Sequence, residues 1–173
     1  MRDLTRTRTA VTRERTREIQ RLEKLLEDAG IKLSSVAADL TGVSSRAMLE
    51  ALIAGQSDPA AMAELAQNRM RVRIPQLTEA LYGRFTPHHA FLTRMHLDLI
   101  DQHTAARTAH RLNRGGDRTL SQLPDLICTI PGIGGSTADI VVAETGADMT
   151  RFPTAQHLAS WAGTTPGNRL FRN

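Results

Sequence analysis

The stretch TIPGIGGSTADIVVAET, residues 129–145, holds three glycines and one proline within five consecutive positions and then continues as an apolar helical pattern. A second apolar pattern at helical spacing precedes it and consists of Leu123, Leu126, Ile127 and Ile130. Because glycine and proline interrupt helices, we predict two helices joined by a tight hairpin at residues 131–134. In this hairpin Gly132 and Gly134 can adopt positive φ, and Ile133 turns its side chain inward.

The start of the second helix is a candidate anion-binding site. We expect Ser136 or Thr137 to cap the helix, with main-chain N–H groups of its first turn facing outward. These donors and the positive end of the helix dipole can hold a phosphate oxygen of nucleic acid without reading a base. The candidate phosphate-binding residues are Gly132, Gly134, Gly135, Ser136 and Thr137. The alternative is a pair of antiparallel helices that uses the glycines only for close packing. A nucleotide-binding P-loop is a poor match, because GIGGST lacks its lysine.

The N-terminal end of the chain predicts one long and basic helix. Residues 4–29 contain no glycine or proline, their apolar residues recur in steps of three and four towards the end, and Gly30 should stop the helix. Residues 1–24 carry eight basic and four acidic residues, in a chain whose formal net charge is +4. The candidate basic contacts to nucleic acid, from both ends of the chain, are Arg6, Arg8, Arg13, Arg15, Arg17, Arg151 and Arg169. The alternative is a solvated helix face on which Glu and Arg pair.

Residues 34–114 predict a series of shorter helices, and the whole chain is predicted to be all-α. Hydrophobic residues make up 40% of the chain and aromatic residues 3%, so the core must be aliphatic. Helix starts are predicted at five places, namely Ser35, Ser44 or Ser45, Asp58 with Pro59, Pro75, and Thr86 with Pro87. The last of these helices is expected to pack through Phe91, Leu92, Met95 and Leu99.

These patterns divide the chain into a helical, coiled-coil-like region at 1–114, a linker at 115–120 and a helix-hairpin-helix unit at 121–173. No apolar run approaches the roughly 18 residues of a membrane span. The N-terminus, MRDLTRTRTAV, has no apolar stretch typical of a signal peptide. With a single cysteine the chain has no disulfide framework, and we expect a cytoplasmic protein with no membrane partner.

Other patterns are weaker candidates for chemistry. The histidines at 89, 96, 103 and 110 lie seven residues apart, about 10.5 Å on a helix, which is too far for neighbours to share one metal ion. We therefore predict a polar face and no metal site. Asp139 and Glu144 point to different faces of their helix and are expected to be surface charges. Cys128 is expected to be a buried structural thiol.

Two longer segments resemble a known family. Residues 126–168, LICTIPGIGGSTADIVVAETGADMTRFPTAQHLASWAGTTPGN, resemble the C-terminal domain of bacterial insertion-sequence transposases related to the Piv DNA invertase, described as RNA-guided recombinases. The combination of PGIG, RFPTAQHLASWAG and PGN carries this resemblance. Residues 4–55 also resemble the coiled-coil-like region that precedes the domain in that family.

The resemblance implies a DNA-binding protein of DNA transposition. In the family a RuvC-like domain holds Mg²⁺ on a DEDD carboxylate set, the C-terminal domain supplies a serine nucleophile, and an oligomer acts on DNA with a guide RNA. The resemblance places no DEDD residue and no catalytic residue in this chain, so Mg²⁺ is expected only for the full-length family enzyme. The expected partners are DNA, a guide RNA, and further copies of the chain or a full-length transposase.

One segment departs from the family pattern. The family's serine is expected shortly after the PGN motif, where this chain has RLFRN from Arg169 onward and no serine. We therefore expect a truncated transposase that binds nucleic acid and does not cleave it alone. The alternative is a non-catalytic nucleic-acid-binding or oligomerisation module that modulates a full-length transposase.

Overall fold

The computed structural model describes residues 2–112, 118–146 and 149–161. Within these ranges every regular element is helical, so the predicted all-α fold is confirmed. The α-helices are α1 (Arg2–Asp28), α2 (Leu33–Val36), α3 (Val43–Ile53), α4 (Pro59–Ala63), α5 (Ile74–Ala80), α6 (Pro87–Leu112), α7 (Arg118–Ile127), α8 (Gly135–Thr145) and α9 (Ala155–Trp161). Two 3₁₀ helices, η1 (Asn68–Arg73) and η2 (Met149–Arg151), complete the described elements.

The chain divides into two compact units. The central unit consists of Arg8–Arg111, and the terminal unit combines Met1–Thr7 with Leu112–Asn173. The first turns of α1 are therefore grouped with C-terminal residues, whereas the sequence division placed them in the region 1–114. Residues 118–120 of the predicted linker belong to α7.

Helix α1 ends at a glycine, as the sequence predicts. Gly30 has a φ of +79°. Its N–H donates to the carbonyl oxygen of Glu27 at 2.8 Å, and the N–H of Ile31 donates to that of Leu26 at 2.8 Å. These two bonds form a Schellman motif, which satisfies the last carbonyls of the helix and turns the chain back. Ile31 is thereby buried beside the helix that precedes it.

The core of the central unit is aliphatic, as the composition requires. Its side chains come from α1 to α6 and the loops between them, so the short helices fold as one body around the end of α1. The largest fully buried aliphatic side chains are Leu22, Leu26, Ile31, Leu33, Met48, Leu49, Met62, Leu77, Leu97 and Ile100. Burial of each such side chain contributes roughly 1.5–3 kcal/mol.

The predicted helix starts are partly correct. The Asp58 carboxylate accepts a hydrogen bond from the N–H of Ala60 at 3.0 Å, directly before α4. The Thr86 hydroxyl accepts one from the N–H of His89 at 3.4 Å, directly before α6. The start at Ser35 is wrong, because this residue lies inside the four-residue helix α2.

The start at Ser44 or Ser45 is also wrong. Gly42 is the N-cap residue of α3, with φ −67° and ψ 160°. Both serines are buried and bond to other segments. The Ser44 oxygen accepts a hydrogen bond from the N–H of Gln67 at 2.9 Å. The Ser45 hydroxyl donates to the carbonyl oxygen of Asp39 at 2.8 Å. These serines connect α3 to its neighbouring loops and do not cap it.

The buried face of α6 differs from the predicted one. Thr93, Leu97 and Ile100 are buried, while the expected core residues Phe91 and Met95 are 69% and 39% exposed. Helix α6 carries apolar residues on more than one face, and their periodicity alone does not predict which face is buried. The face that completes the core of the central unit is the one that is buried.

One of the evenly spaced histidines joins α6 to α1. Nδ1 of His96 lies 2.8 Å from a carboxylate oxygen of Glu18, and both side chains are largely buried. The Glu18 carboxylate also accepts a hydrogen bond from Arg21. The predicted polar face is therefore wrong at His96, since this side chain fills a polar contact between two long helices.

Among the described residues, the terminal unit buries fewer large apolar side chains than the central unit. Pro124 of α7 is buried, as are Ala138 and Val142 of α8, where these two helices pack. The prediction of a buried thiol is wrong, because Cys128 lies in the exposed turn after α7. Trp161 of α9 is 52% exposed and packs edge-on against the ring of Phe152, with 5.5 Å between ring centroids.

Candidate nucleic-acid interface

The hairpin between α7 and α8 contains a proline-glycine turn. The N–H of Ile133 donates to the carbonyl oxygen of Ile130 at 3.1 Å, which closes a four-residue turn. Pro131 occupies its second position, and Gly132, with a φ of +88°, occupies its third. Proline followed by a residue with positive φ is the signature of a type II turn. The local sequence therefore determines how sharply the chain reverses before α8.

Helix α8 begins one residue after Gly134. This residue has φ −86° and ψ 163°, so the expected positive φ is wrong here. Its carbonyl oxygen accepts hydrogen bonds from the N–H groups of Thr137 at 2.9 Å and Ala138 at 3.0 Å. Gly134 is the N-cap residue, and the expected cap at Ser136 or Thr137 is wrong because both residues are already inside the first turn. The N-cap residue of α8, a glycine, supplies no side-chain acceptor to the amides of the first turn.

The glycines of the hairpin face open space. An added Cβ at Gly132, Gly134 or Gly135 would meet nothing within 4 Å. All three residues are exposed. The alternative in which the glycines allow close helix packing is therefore not supported at these positions.

The predicted basic contact Arg6 has an intramolecular partner. Its Nε lies 2.9 Å and its Nη2 3.1 Å from the two carboxylate oxygens of Glu144, near the end of α8. The hydrogen bond to Glu144 and its negative charge raise the pKa of Arg6 above the ordinary value. The ion pair connects the first turns of α1 to α8 within the terminal unit. Glu144 is thus paired with an arginine and is not a simple surface charge.

Two further predicted arginines make contacts along the central unit. Arg15 is half-buried and donates to the hydroxyls of Thr104 at 2.8 Å and Thr41 at 3.2 Å. Arg17 pairs with Glu14 three residues before it on the exposed face of α1. Arg17 therefore follows the alternative prediction of paired charges on a solvated face.

The remaining predicted arginines differ in exposure. Arg8 is half-buried, while Arg13 and Arg151 are exposed. Neither Arg13 nor Arg151 forms a hydrogen bond or an ion pair within the described ranges. Arg169 lies outside the described residues. Arg151 belongs to the terminal unit, as does the hairpin.

A basic segment that the sequence analysis missed lies in the central unit. Helix η1 has the sequence NRMRVR, which places Arg69, Arg71 and Arg73 at alternate positions, and all three are exposed. The region 25–147 has eleven basic and thirteen acidic residues, so a charge count over the whole region does not reveal a local cluster of arginines. The alternation of arginines over six residues was the signal that could have identified it.

The geometry offers no metal centre in the ranges that the structure describes. No group of three or more histidine, cysteine, aspartate or glutamate side chains is placed there to hold an ion. The two evenly spaced histidines with a described hydrogen bond, His89 and His96, bind Thr86 and Glu18. The Mg²⁺ of the family resemblance has no ligand set among these residues.

Comparison with known proteins finds similarity to one family, over about a quarter of the chain. Residues 125–170 match the family model described as Transposase IS116/IS110/IS902 family. This match supports an insertion-sequence transposase, with DNA as a partner and transposition as the process. A search of curated proteins and a search of solved structures each gave no match. The matched range contains the hairpin, α8, η2 and α9. The relation to the Piv invertase stays a prediction.

None of the described helices is both long and apolar enough to span a membrane.

Proposed function

We propose that this chain is a DNA-binding part of an insertion-sequence transposase. In this proposal the hairpin before α8 binds the phosphate backbone of the DNA. The family match supports this proposal, because the matched residues 125–170 include the whole hairpin and α8. The residues proposed to face the phosphate are Gly132, Gly134, Gly135, Ser136 and Thr137. We assign binding to them and assign strand cleavage to no residue of this chain.

The observation that carries the proposal is the open space at Gly134 and Gly135. Neither glycine has a positive φ, and a Cβ at either would meet nothing within 4 Å. Glycine is a favoured N-cap residue, which accounts for Gly134, but neither backbone conformation nor packing requires glycine at position 135. Inside a helix, glycine costs roughly 0.5–1 kcal/mol relative to alanine. A ligand that must approach the main chain closely explains why Gly135 has no side chain.

The electrostatics of the hairpin favour an anion. The first turn of α8, which follows a glycine N-cap, has N–H donors at the positive end of the helix dipole, equivalent to about half an elementary charge. Backbone donors of this kind contact phosphate oxygens and position a protein on nucleic acid without selecting a sequence. Arg151 is exposed in the same unit and adds a positive charge. Binding through such contacts releases counterions and weakens as salt rises.

The sharpest test is Gly135→Ala, because stability and binding should move in opposite directions. Alanine has the better helix propensity and should stabilise the protein by roughly 0.5–1 kcal/mol. Its methyl group would stand between a phosphate and the amides of the first turn. We expect duplex DNA binding, measured by fluorescence anisotropy at low salt, to weaken several-fold while thermal stability rises.

Gln156→Ala supplies the control, because this exposed residue lies on α9 of the same unit and is not part of the hairpin. It should leave binding unchanged. A Gly135→Ala protein that binds duplex DNA as tightly as the wild type would contradict the proposal. The guide RNA and the oligomeric state are further expectations of the family resemblance, and phosphate binding at the hairpin requires neither.

A further inference from the structure

A groove with a volume of about 570 Å³ opens on the surface of the central unit, far along the chain from the hairpin. One wall is the segment 36–45, and the other is the segment 67–73, which contains η1. Val36, Val43 and Met70 give the groove an aliphatic lining, and Val43 is 70% exposed. The groove is therefore open to solvent beside Val43. A small molecule lying there would keep much of its surface in water, whereas a typical ligand pocket buries about 70–90% of its ligand.

Two arginines of η1 line this groove. Arg73 donates from Nη1 to the carbonyl oxygen of Val36 at 2.7 Å, which fixes its side chain without neutralising its charge. Arg69 forms no hydrogen bond or ion pair in the part of the chain that the structure describes. Arg71, between them, is paired with Glu64 at 3.1 Å. The groove therefore has two guanidinium groups that no described carboxylate pairs with, and these groups favour an acidic occupant.

The lining of the groove suits a peptide better than a nucleic acid. Sites for an unpaired nucleic-acid strand stack its bases mainly on aromatic rings, and no aromatic side chain lines this groove among the described residues. Aliphatic walls instead fit the aliphatic side chains of a protein. Methionine and arginine, which meet at Met70 and its two neighbours in the sequence, are enriched at protein interfaces.

The two walls differ in charge. Asp39 lies on the wall 36–45, and its Oδ1 accepts hydrogen bonds from the N–H of Thr41 at 2.8 Å and from its hydroxyl at 2.7 Å. The hydroxyl bond of Thr41 lowers the pKa of Asp39, so this carboxylate is ionised at neutral pH. It repels acidic side chains from its own wall, whereas the arginines of η1 attract them to the opposite wall. The wall 36–45 is thus left to apolar side chains.

An extended peptide can satisfy both walls at once, because its successive side chains point to opposite sides. Arg69 and Arg73 are four residues apart on a 3₁₀ helix, which separates them by about 8 Å along the helix axis. Alternate residues of an extended chain are about 7 Å apart. Two acidic residues at alternate positions can therefore each contact one arginine, while the apolar residues between them face Val36 and Val43.

We propose that this groove binds an extended segment of a partner protein in which acidic and apolar residues alternate. Acidic side chains contact Arg69 and Arg73, and apolar side chains pack against Val36 and Val43. The site lies outside the hairpin and does not depend on DNA binding there.

The test uses a short fluorescein-labelled peptide of alternating Glu and Val, with anisotropy measured at low salt on the full chain. Two peptides of equal length serve as comparisons, one with Gln in place of Glu and one with Ser in place of Val. The Glu-Val peptide should bind saturably. Both comparison peptides should bind at least tenfold more weakly, because one lacks the charges for the arginines and the other lacks the apolar side chains.

Arg69→Gln should weaken binding of the Glu-Val peptide about tenfold, as loss of one charge-assisted contact does. Because Arg69 has no partner among the described residues, the fold should be intact by circular dichroism. Arg84→Gln is the matched control, since it removes an exposed arginine of the same unit that does not line the groove. It should change the affinity less than twofold. Val43→Ser should weaken the Glu-Val peptide several-fold and leave the Glu-Ser peptide unchanged.

Four outcomes would overturn the proposal. Unchanged binding by Arg69→Gln would remove the groove, and an equal loss in Arg84→Gln would reduce the effect to general surface charge. Displacement of the peptide by an equal concentration of oligo(U) would make the groove a nucleic-acid site. A concentration-dependent dimer in analytical ultracentrifugation that Arg69→Gln abolishes would make the occupant a second copy of this chain. Gly135→Ala should leave peptide binding unchanged, so a failure of the hairpin proposal is seen separately, with duplex DNA.

Discussion

Glycines in the two units have different surroundings. In the central unit, a Cβ added to Gly83 would come within 2.6 Å of the carbonyl oxygen of Ala29 and 2.7 Å of the Ile31 side chain. The N–H of the next residue, Arg84, donates to that same carbonyl oxygen at 2.6 Å. In the terminal unit, a Cβ added to Gly135, the first residue of α8, would meet nothing within 4 Å. A glycine that the fold requires is evidence about packing, whereas a glycine that the fold does not require is evidence about an external contact.

The two units also differ in how completely they bury their large apolar side chains. Leu49 of the central unit has no exposed surface, while Leu126 and Ile130 beside the hairpin are 67% and 52% exposed. The described helices of the terminal unit pack through small residues such as Ala138. Stability is therefore expected to reside in the central unit, and sensitivity to ligands in the hairpin. The predictions below test this division from the largest effect to the smallest.

The largest effect is expected from Leu49→Ala. Its side chain is completely buried in the core of the central unit, so the substitution loses apolar burial and leaves a cavity. We expect the free energy of unfolding to fall by about 2–5 kcal/mol, measured by urea denaturation. Leu126→Ala is the same substitution at an exposed site and should cost at most about 0.5 kcal/mol. Equal losses for the two variants would refute the division.

Gly83→Ala should have the next largest effect. The new methyl group would collide with the backbone at the end of α1, and separating the two segments would strain the hydrogen bond between Arg84 and Ala29. Overpacking of this kind costs about 1–3 kcal/mol, which thermal denaturation would detect. Gly135→Ala is the matched control and should not destabilise the protein, because its Cβ meets open space. A destabilised Gly135→Ala protein would mean that this glycine, too, serves the fold.

Removal of the cap of α4 should have a smaller effect. The Asp58 side chain satisfies an N–H that α4 otherwise leaves unbonded. Asp58→Ala should lower the free energy of unfolding by about 1 kcal/mol in urea denaturation, with Asp58→Ser close to the wild type. A serine variant as unstable as the alanine variant would show that the hydrogen bond to Ala60 is not the cause.

Features that depend on local sequence were predicted well. Gly30 ends α1, Asp58 caps α4 and Gly132 has positive φ, because in each case neighbouring residues along the chain supply the hydrogen bonds. The Pro131-Gly132 pair likewise defines a turn without help from distant segments. For the candidate site, the position of the hairpin and its lack of side chains followed from the same local rules.

Features that depend on distant contacts were not predicted. Ser44 and Ser45 resemble caps in sequence, but Gln67 and Asp39 provide their partners from other segments. The buried face of α6 is the one that covers the part of the core that α1 and α3 leave open. The periodicity of apolar residues along α6 does not predict which face this is. The pairing of Arg6 with Glu144 joins residues 138 positions apart, so counting charges within a segment cannot reveal it.

The smallest effect concerns an exposed charge network of the central unit. The Glu50 carboxylate accepts hydrogen bonds from Arg94 and Arg46, and the bond from Arg94 contributes most to lowering its pKa below the ordinary 4.5. A carboxylate with a lowered pKa in the folded state stabilises the fold above its unfolded pKa and loses that stabilisation as it is protonated. The wild type should therefore exceed Glu50→Gln in stability at pH 7 by no more than about 1 kcal/mol, since both ion pairs are partly solvated.

The difference between the two proteins should shrink as the pH falls below 4.5, because the wild-type carboxylate then becomes neutral like the amide. Urea denaturation of both proteins from pH 7 to pH 3 measures it. Glu79→Gln is the control, an exposed carboxylate with no ion pair in the part of the chain that the structure describes, and should show no such pH dependence. A Glu50→Gln difference that stayed constant down to pH 3 would mean that shape and packing, not charge, set its effect. The Glu50 network would then add no electrostatic stabilisation to the central unit, whose contrast with the hairpin would depend more heavily on apolar burial.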